Sequence, residues 1–204
     1  MRFTAPLLTL LLLLSVAACS DRGPRLAPLG SDAVILAFGD SITYGTGSSR
    51  EDSYPAVLQQ LSGLEVVNAG IPGEVTAGGL GRLAATLEEV QPQLMILCLG
   101  GNDMLRKKDL QQAERNLEQM IRISREQGVP VLLLGVPRPA IFGLQSADFY
   151  YTLAERLQVP LEDEALPEIL SEKGLKSDQI HPNSAGYRQL AEALYAKLKS
   201  SGAL

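Results

Sequence analysis

Short apolar runs alternate with longer stretches of helical periodicity along this chain, and that alternation is the strongest constraint on its fold. The apolar runs, which we predict as strands, are 34–38, 65–68, 94–99, 131–135 and 159–161. The predicted helices are 54–62, 80–90, 109–127, 147–158 and 184–199. Strands and helices that alternate in this way favour a parallel sheet covered by helices on both faces. We therefore predict an α/β fold.

The first eighteen residues are typical of a secretory signal peptide, which is removed from the mature protein. Arg2 supplies a positive charge, residues 7–14 are almost entirely apolar, and small residues follow. The apolar stretch is too short to cross a membrane as a helix. We therefore predict an exported, periplasmic protein whose signal peptide covers residues 1–18.

Cys19 ends a short pattern, Val16-Ala17-Ala18-Cys19, that resembles a bacterial lipobox. In a lipoprotein, Cys19 would carry lipid, become the new N-terminus and anchor the protein to a membrane. Ser20 stands where signals for retention in the inner membrane usually carry aspartate, which favours the outer membrane. An ordinary signal peptide followed by an unrelated cysteine is the alternative. We expect a lipidated tether over 19–32 and one folded domain over 33–204.

Charge and composition argue against several other partners and sites. The formal net charge is -5 and there is no basic patch, so nucleic acid is not an expected partner. Cys98 lies within an apolar run and is expected in the core, without a disulfide. A single histidine makes a zinc site unexpected. Residues 79–84 fit a loose dinucleotide-binding pattern, but they do not open a helix directly after a strand.

The first apolar run stops at Gly39-Asp40-Ser41, which would deliver a hydroxyl group to the end of a buried strand. A serine becomes a nucleophile near neutral pH only beside a base, and the base needs a carboxylate that fixes its tautomer. The one histidine is His181, and Asp178 precedes it by three residues. We predict a catalytic triad of Ser41, His181 and Asp178. A helix-capping serine and a loop histidine bonded to Asp178 are the structural alternatives.

Two further loops carry candidate donors for the negative charge that develops on a carbonyl oxygen during acyl transfer. In an open sheet with strand order 2-1-3-4-5, ligands bind beyond the carboxyl ends of the first and third strands. Asn102 follows two glycines after the third strand and offers a side-chain amide. Gly73, in the loop after the second strand, offers a backbone N–H, or alternatively serves only the geometry of that loop. The Ser41 N–H is a third candidate donor.

Four separated blocks of the sequence, in this order, resemble the motifs of the SGNH (GDSL-type) hydrolase superfamily. They are Phe38-Gly39-Asp40-Ser41-Ile42-Thr43, Asn68-Ala69-Gly70-Ile71-Pro72-Gly73, Gly100-Gly101-Asn102-Asp103 and Asp178-Gln179-Ile180-His181-Pro182. Within the superfamily, the chain is similar to secreted bacterial thioesterases, lysophospholipases and arylesterases. The resemblance implies Ser41 as nucleophile, His181 as base and Asp178 as its partner. It implies Gly73 and Asn102 as oxyanion donors.

The resemblance also implies a three-layer α/β/α domain with a five-stranded parallel sheet of flavodoxin-like order 2-1-3-4-5, and no metal or organic cofactor. The expected reaction hydrolyses acyl esters and thioesters through an acyl-enzyme intermediate. Aryl esters and short or medium acyl esters are the expected small-molecule substrates, and lysophospholipids are lipid substrates that a membrane-tethered enzyme could reach. The loop 136–146 carries Ile141, Phe142 and Leu144, and we expect it to line an acyl pocket.

Two other functions are compatible with the same residues. A carbohydrate or cell-wall O-acetyl esterase would use the same triad and prefer acetyl groups. A non-catalytic lipid-binding lipoprotein would bind acyl chains without turnover and would be indifferent to the loss of Ser41. The sequence makes no prediction about the oligomeric state.

Overall fold

Five parallel strands form the centre of the protein, in a computed structural model that describes residues 23–204. The expected signal peptide and Cys19 lie outside the described residues. Two further strands lie outside this sheet. In chain order the seven strands of the described residues are β1 (Val34–Gly39), β2 (Glu65–Gly70), β3 (Leu94–Cys98), β4 (Val131–Leu134), β5 (Pro137–Pro139), β6 (Leu144–Ser146) and β7 (Leu161–Glu162). The sheet order is β2-β1-β3-β4-β7, while β5 and β6 form a separate antiparallel hairpin. This confirms the predicted parallel sheet and its order 2-1-3-4-5, with β7 as the fifth strand.

The fifth strand is displaced from its predicted position. We predicted 159–161, whereas β7 covers Leu161–Glu162. Pro160 has no N–H with which to join the ladder, so regular pairing begins after it. Its carbonyl nevertheless accepts a hydrogen bond from the Leu133 N–H at 2.9 Å.

The helices cover the sheet and confirm all five helical predictions, with shifted ends. They are α1 (Ser41–Tyr44), α2 (Tyr54–Ser62), α3 (Thr76–Val90), α4 (Gly101–Leu105), α5 (Leu110–Glu126), α6 (Asp148–Leu157), α7 (Ala165–Ser171) and α8 (Ser184–Ser201). Three of them, α1, α4 and α7, were not predicted because each is too short to show a full helical period. Two of these short helices begin directly at predicted site loops.

α3 begins four residues earlier than predicted because a distant carboxylate caps its first turn. The Asp103 side chain accepts hydrogen bonds from the Thr76 N–H and from the Thr76 hydroxyl, both at 2.9 Å. Asn116 on α5 donates to the same hydroxyl at 3.0 Å. Such a cap satisfies helix donors that have no intrahelical partner. It crosses 27 positions of sequence, so no local pattern indicates it.

β1 is the central strand of the fold and positions the loop that follows it. Its residues from Ile35 to Phe38 are fully buried, and it pairs with both β2 and β3. α8 closes the domain with Leu190, Leu194 and Leu198 in the core, as its spacing predicted. Ser41 therefore lies just beyond the carboxyl end of the central, buried strand.

Part of the expected tether packs on the folded domain. Leu26 is buried, and its N–H donates to the Ser201 carbonyl at the end of α8 at 2.9 Å. Leu29 N–H donates to Ala203 O at 2.8 Å. The ordered domain therefore begins ahead of residue 33. No helix within residues 23–204 is long and apolar enough to cross a membrane.

Candidate active site

The turn after β1 presents Ser41 as the first residue of α1. Asp40 caps this helix, because its carboxylate accepts a hydrogen bond from the Ile42 N–H at 3.0 Å. Gly39 is required just before it, since a Cβ atom there would collide with the Cys98 carbonyl and the Thr43 side chain. As the first residue of a helix, Ser41 has a backbone N–H with no intrahelical acceptor.

The loop before α8 brings His181 to Ser41. His181 Nε2 lies 3.0 Å from Ser41 Oγ, and His181 Nδ1 lies 2.7 Å from Asp178 Oδ2. With Nδ1–H donated to the carboxylate, Nε2 of the neutral ring is the acceptor for the serine hydroxyl. The three predicted triad residues therefore form one continuous chain of hydrogen bonds across 140 positions of sequence.

Asp178 is held by its own loop. Its Oδ1 accepts hydrogen bonds from the backbone N–H groups of Ile180 and His181, both at 2.8 Å. Partial burial works against ionisation, but the hydrogen bonds from the His181 ring and these two amides outweigh it, so the pKa of Asp178 is lowered. The carboxylate is therefore charged at neutral pH, as the partner of a histidine base must be.

Asn102 lies beside Ser41 at the start of α4. It follows Gly100, whose φ of 117° suits glycine. Its Nδ2 donates to Asp40 Oδ2 at 3.1 Å, which leaves the second amide hydrogen available to a ligand. Burial raises the pKa of Asp40 to about 6, against the opposing effect of the bonds from Ile42 and Asn102.

Gly73 occupies a tight turn that suits its predicted role, but it does not line the cavity beside Ser41. The Glu74 N–H donates to the Ile71 carbonyl at 3.1 Å, with Pro72 and Gly73 at the two central positions. The φ of Gly73 is 78°, as expected for the third residue of a type II turn. Arg106, which follows α4, donates to the Gly73 carbonyl at 2.8 Å.

A cavity of about 180 Å³ opens beside Ser41. Polar groups of Ser41, Asn102 and His181 lie on one side of a largely apolar lining. Its apolar residues are Ile42, Met104, Leu105, Val136, Pro137, Leu170 and Ile180. A larger cleft of about 900 Å³, lined by residues 23–25 together with α6 and α8, contains none of the predicted site residues. We locate the site at the smaller cavity, because the reactive groups converge there.

The prediction for the loop 136–146 was wrong in its details. Val136, Pro137 and Arg138 line the cavity, but the expected apolar residues Ile141, Phe142 and Leu144 do not. The pairing of β5 with β6 places Ile141 and Phe142 at a hairpin tip, where they are 92% and 94% exposed. The segment contains two prolines and one glycine, which disfavour strands, so its sequence pattern did not indicate antiparallel pairing.

Several residues of the site were missed by the sequence analysis. Leu170 from α7 lines the cavity, and Arg106 donates to the Gly73 carbonyl. Ile180 stands next to His181, so its place in the cavity wall could have been inferred. Within residues 23–204 no group of three His, Cys, Asp or Glu side chains is arranged to hold a metal ion. Cys98 is free and buried, and burial raises the pKa of its thiol.

Comparisons with known proteins place the chain among hydrolases. Residues 37–189 match the model of the GDSL-like lipase/acylhydrolase family. The chain is 34% identical to esterase TesA of Pseudomonas aeruginosa, over 81% of this chain and 87% of the relative. It is 32% identical to thioesterase 1/protease 1/lysophospholipase L1 of Escherichia coli K12, over 97% and 93%.

Solved structures give the same assignment. A crystal structure of TesA has a TM-score of 0.75 and 33% sequence identity, and the match covers 82% of this chain and 99% of that one. The chain therefore belongs to the GDSL-like lipase/acylhydrolase family, whose relatives here are esterases and thioesterases, and it is a carboxylic ester hydrolase.

Proposed function

We propose that this protein is a serine esterase that hydrolyses short acyl esters and thioesters through a triad of Ser41, His181 and Asp178. The observation that carries the proposal is the continuous hydrogen-bonded chain from Ser41 Oγ through His181 to Asp178, at 3.0 and 2.7 Å. Hydrogen bonds of this length align a nucleophile, its base and the group that orients the base. This series of hydrogen bonds ends at Ser41, beside a cavity with room for an acyl group.

The first step forms the acyl-enzyme. As Ser41 Oγ bonds to the carbonyl carbon, its proton passes to His181 Nε2, and the charged ring is stabilised by Asp178. The tetrahedral intermediate collapses when the bond to the leaving alcohol or thiol breaks and His181 returns the proton to that group. In the second step, water loses a proton to His181 and attacks the acyl carbon. The acid departs, and Ser41 regains its hydrogen.

We assign three donors to the oxyanion of that intermediate. The Ser41 N–H is a free donor at the helix start, and Asn102 has one amide hydrogen that is not used by Asp40. The Gly73 N–H, in a turn tied to the same end of the sheet, is the third. One such donor contributes about 10²–10³ in rate. Asp40 orients Asn102, because it accepts the other amide hydrogen.

The size of the cavity favours short acyl groups. Its volume of about 180 Å³ holds about six non-hydrogen atoms at roughly 30 Å³ each. A longer acyl chain, such as that of a lysophospholipid, would leave the cavity over Leu105 and Ile180, which are 56% and 40% exposed at its mouth. We therefore rank short esters and thioesters above lysophospholipids. The same volume accommodates acetyl groups, which keeps a carbohydrate O-acetyl esterase as the second candidate.

The membrane anchor is a separate proposal that rests on sequence. The lipobox pattern ending at Cys19 supports export and lipidation there, with Ser20 favouring the outer membrane. Mass spectrometry of the protein from the membrane fraction tests it: a lipid-modified Cys19 at the N-terminus is expected, and a free N-terminus elsewhere would contradict it.

The activity is tested with p-nitrophenyl esters from acetyl to dodecanoyl, using the wild type, Ser41→Ala and the matched surface variant Ser200→Ala. We expect Ser41→Ala to lose nearly all activity and Ser200→Ala to keep it. Rates should decline beyond about five acyl carbons, because the roughly six non-hydrogen atoms that the cavity holds include the carbonyl oxygen. An active, folded Ser41→Ala would contradict the triad. Rates that rise through dodecanoyl would contradict the short-chain preference, and activity confined to acetyl would favour the second candidate.

A further inference from the structure

Arg82 on α3 makes a partly buried ion pair with Glu74, directly behind the loop that carries Gly73. Its Nε donates to Glu74 Oε1 at 2.8 Å and its Nη2 to Glu74 Oε2 at 2.6 Å. The side chains of Arg82 and Glu74 are only 22% and 9% exposed. The guanidinium also lies over the ring of Phe38 at 3.9 Å. The planar fork of arginine fits this two-point contact, which lysine cannot reproduce.

The same guanidinium also binds the ends of two strands. Nη2 donates to the Ala69 carbonyl at 2.9 Å and to the Gly39 carbonyl at 3.3 Å. Gly39 immediately precedes Asp40 and Ser41, and the Ile71 N–H donates to the same Gly39 carbonyl at 3.0 Å. One side chain therefore joins the turn that presents Ser41 to the turn that presents Gly73.

A buried ion pair is poor support for stability, because desolvation of both charges offsets most of their attraction. Arg82 also does not line the cavity at Ser41, so it has no route to a bound acyl group. Arg82 instead restrains the orientation of the backbone N–H groups in the loop that carries Gly73. Backbone donors stabilise an oxyanion only when they are fixed before the charge develops. A residue that holds Glu74 therefore restrains the adjacent Gly73 peptide.

We propose that Arg82 is a positioning residue for the oxyanion hole, acting through Glu74 and the Gly39 carbonyl to hold the Gly73 N–H in register with Ser41. This inference rests on the proposed function, since it assigns Arg82 to the transition state of that reaction. Arg82 touches neither substrate nor nucleophile.

The experiment compares Arg82→Lys with Arg122→Lys. The control removes the same fork from an exposed pair with Glu118 on α5, where Arg122 is 59% exposed. For each protein we would measure kcat and KM on a short p-nitrophenyl ester, and the affinity for an alkyl boronic acid, which forms a tetrahedral adduct on an active serine. Amide hydrogen exchange of residues 69–76 gives a readout that does not depend on activity.

We expect Arg82→Lys to lower kcat about tenfold or more with little change in KM, because the lost interaction acts in the transition state. Boronate affinity should fall by a similar factor, and exchange should rise in residues 69–76. Arg122→Lys should change none of these. A folded Arg82→Lys with wild-type kcat, with an effect on KM alone, or with unchanged exchange over 69–76 would overturn the proposal.

Glu74→Gln covers the case in which Arg82→Lys does not fold. It keeps the shape of the side chain and one acceptor but removes the charge, so a smaller fall in kcat is expected, again without a change in KM. A wild-type kcat in this variant would also overturn the inference. Ser41→Ala separates the two proposals: if it stays active, the proposed function fails. If it is inactive while Arg82→Lys is fully active, only the positioning role fails.

Discussion

Two aspartates lie near Ser41, the proposed nucleophile, and their environments are opposite. Asp40 is 2% exposed at the end of the central strand, and burial raises its pKa to about 6. The Asp178 side chain is 52% exposed in a short loop, where hydrogen bonds lower its pKa despite partial burial. The first belongs to the proposed oxyanion side of the site, where it accepts a hydrogen bond from Asn102 at the end of β1. The second belongs to the acid–base side, which is built by contacts within one loop.

This difference separates what each side contributes. The oxyanion side depends on long-range contacts among β1, α3 and α4, so its donors are fixed before substrate arrives. The acid–base side depends on contacts of Asp178 with Ile180 and His181. It also depends on the docking of α8, which follows this loop. Substitutions on the two sides should therefore fail in different ways.

The largest effect is expected from His181→Ala. It removes the base while leaving the oxyanion donors intact, so kcat/KM on a short ester should fall about 10⁴-fold or more. Thermal unfolding should change little, because the loop lies at the surface. Steady-state kinetics beside an unfolding curve checks both expectations, and a folded variant within tenfold of wild type would remove His181 from the mechanism.

Asn102→Ala removes the proposed side-chain donor of the oxyanion side. The loss of one donor should lower kcat about 10²–10³-fold and leave KM nearly unchanged, because the bond forms mainly in the transition state. Measurement of both constants on the same ester decides the matter. A pure rise in KM would instead make Asn102 a substrate-positioning residue.

Asp40→Asn sharpens the contrast through pH. The folded pKa of about 6 exceeds the unfolded value of 3.8, so between these pH values the native state binds a proton that the unfolded state does not. The wild type should therefore gain about 3 kcal/mol of unfolding free energy relative to Asp40→Asn as the pH falls from above 6 to below 4. Chemical unfolding of both proteins across that range measures it. A constant difference would contradict the raised pKa of the buried Asp40 carboxyl.

Asp178 should show the opposite sign in the same experiment. Its lowered pKa means that its contribution to stability is present above the unfolded pKa and is lost as the pH falls through the folded value. The effect should be smaller than that of Asp40, because solvent screens a half-exposed group. Comparison of wild type with Asp178→Asn below pH 4 tests the sign; a gain in stability of the wild type on acidification would contradict it.

The smallest effect is expected at the hairpin tip, which lies outside both sides of the site. Phe142→Ser should leave kcat and KM on short esters unchanged and shift unfolding free energy by less than about 0.5 kcal/mol, as expected at an exposed position. A clear loss of activity would return this residue to the acyl pocket.

The same contrast explains how far the sequence predicted the structure. Hydrophobic periodicity was enough for the five strands of the parallel sheet and for the long helices, and the resemblance to SGNH hydrolases implied the sheet order. The Asp178–His181 contact was also predictable, because a three-residue step joins them within one loop. The early start of α3 was not, since Asp103 caps it from another helix. The contact of Arg82 with Gly39 spans 43 positions and follows only from the folded sheet. The roles of the triad residues stay a prediction.

Covalent trapping of the nucleophile tests most directly whether Ser41 is the reacting residue. The protein would be treated with an alkyl p-nitrophenyl phosphonate, which transfers its phosphonyl group to an activated serine and releases p-nitrophenol. Peptide mass spectrometry then locates the adduct. Our account predicts one equivalent of adduct on Ser41, formed in parallel with the loss of esterase activity and absent in His181→Ala. Inactivation without modification of Ser41, or an adduct on another residue, would contradict it.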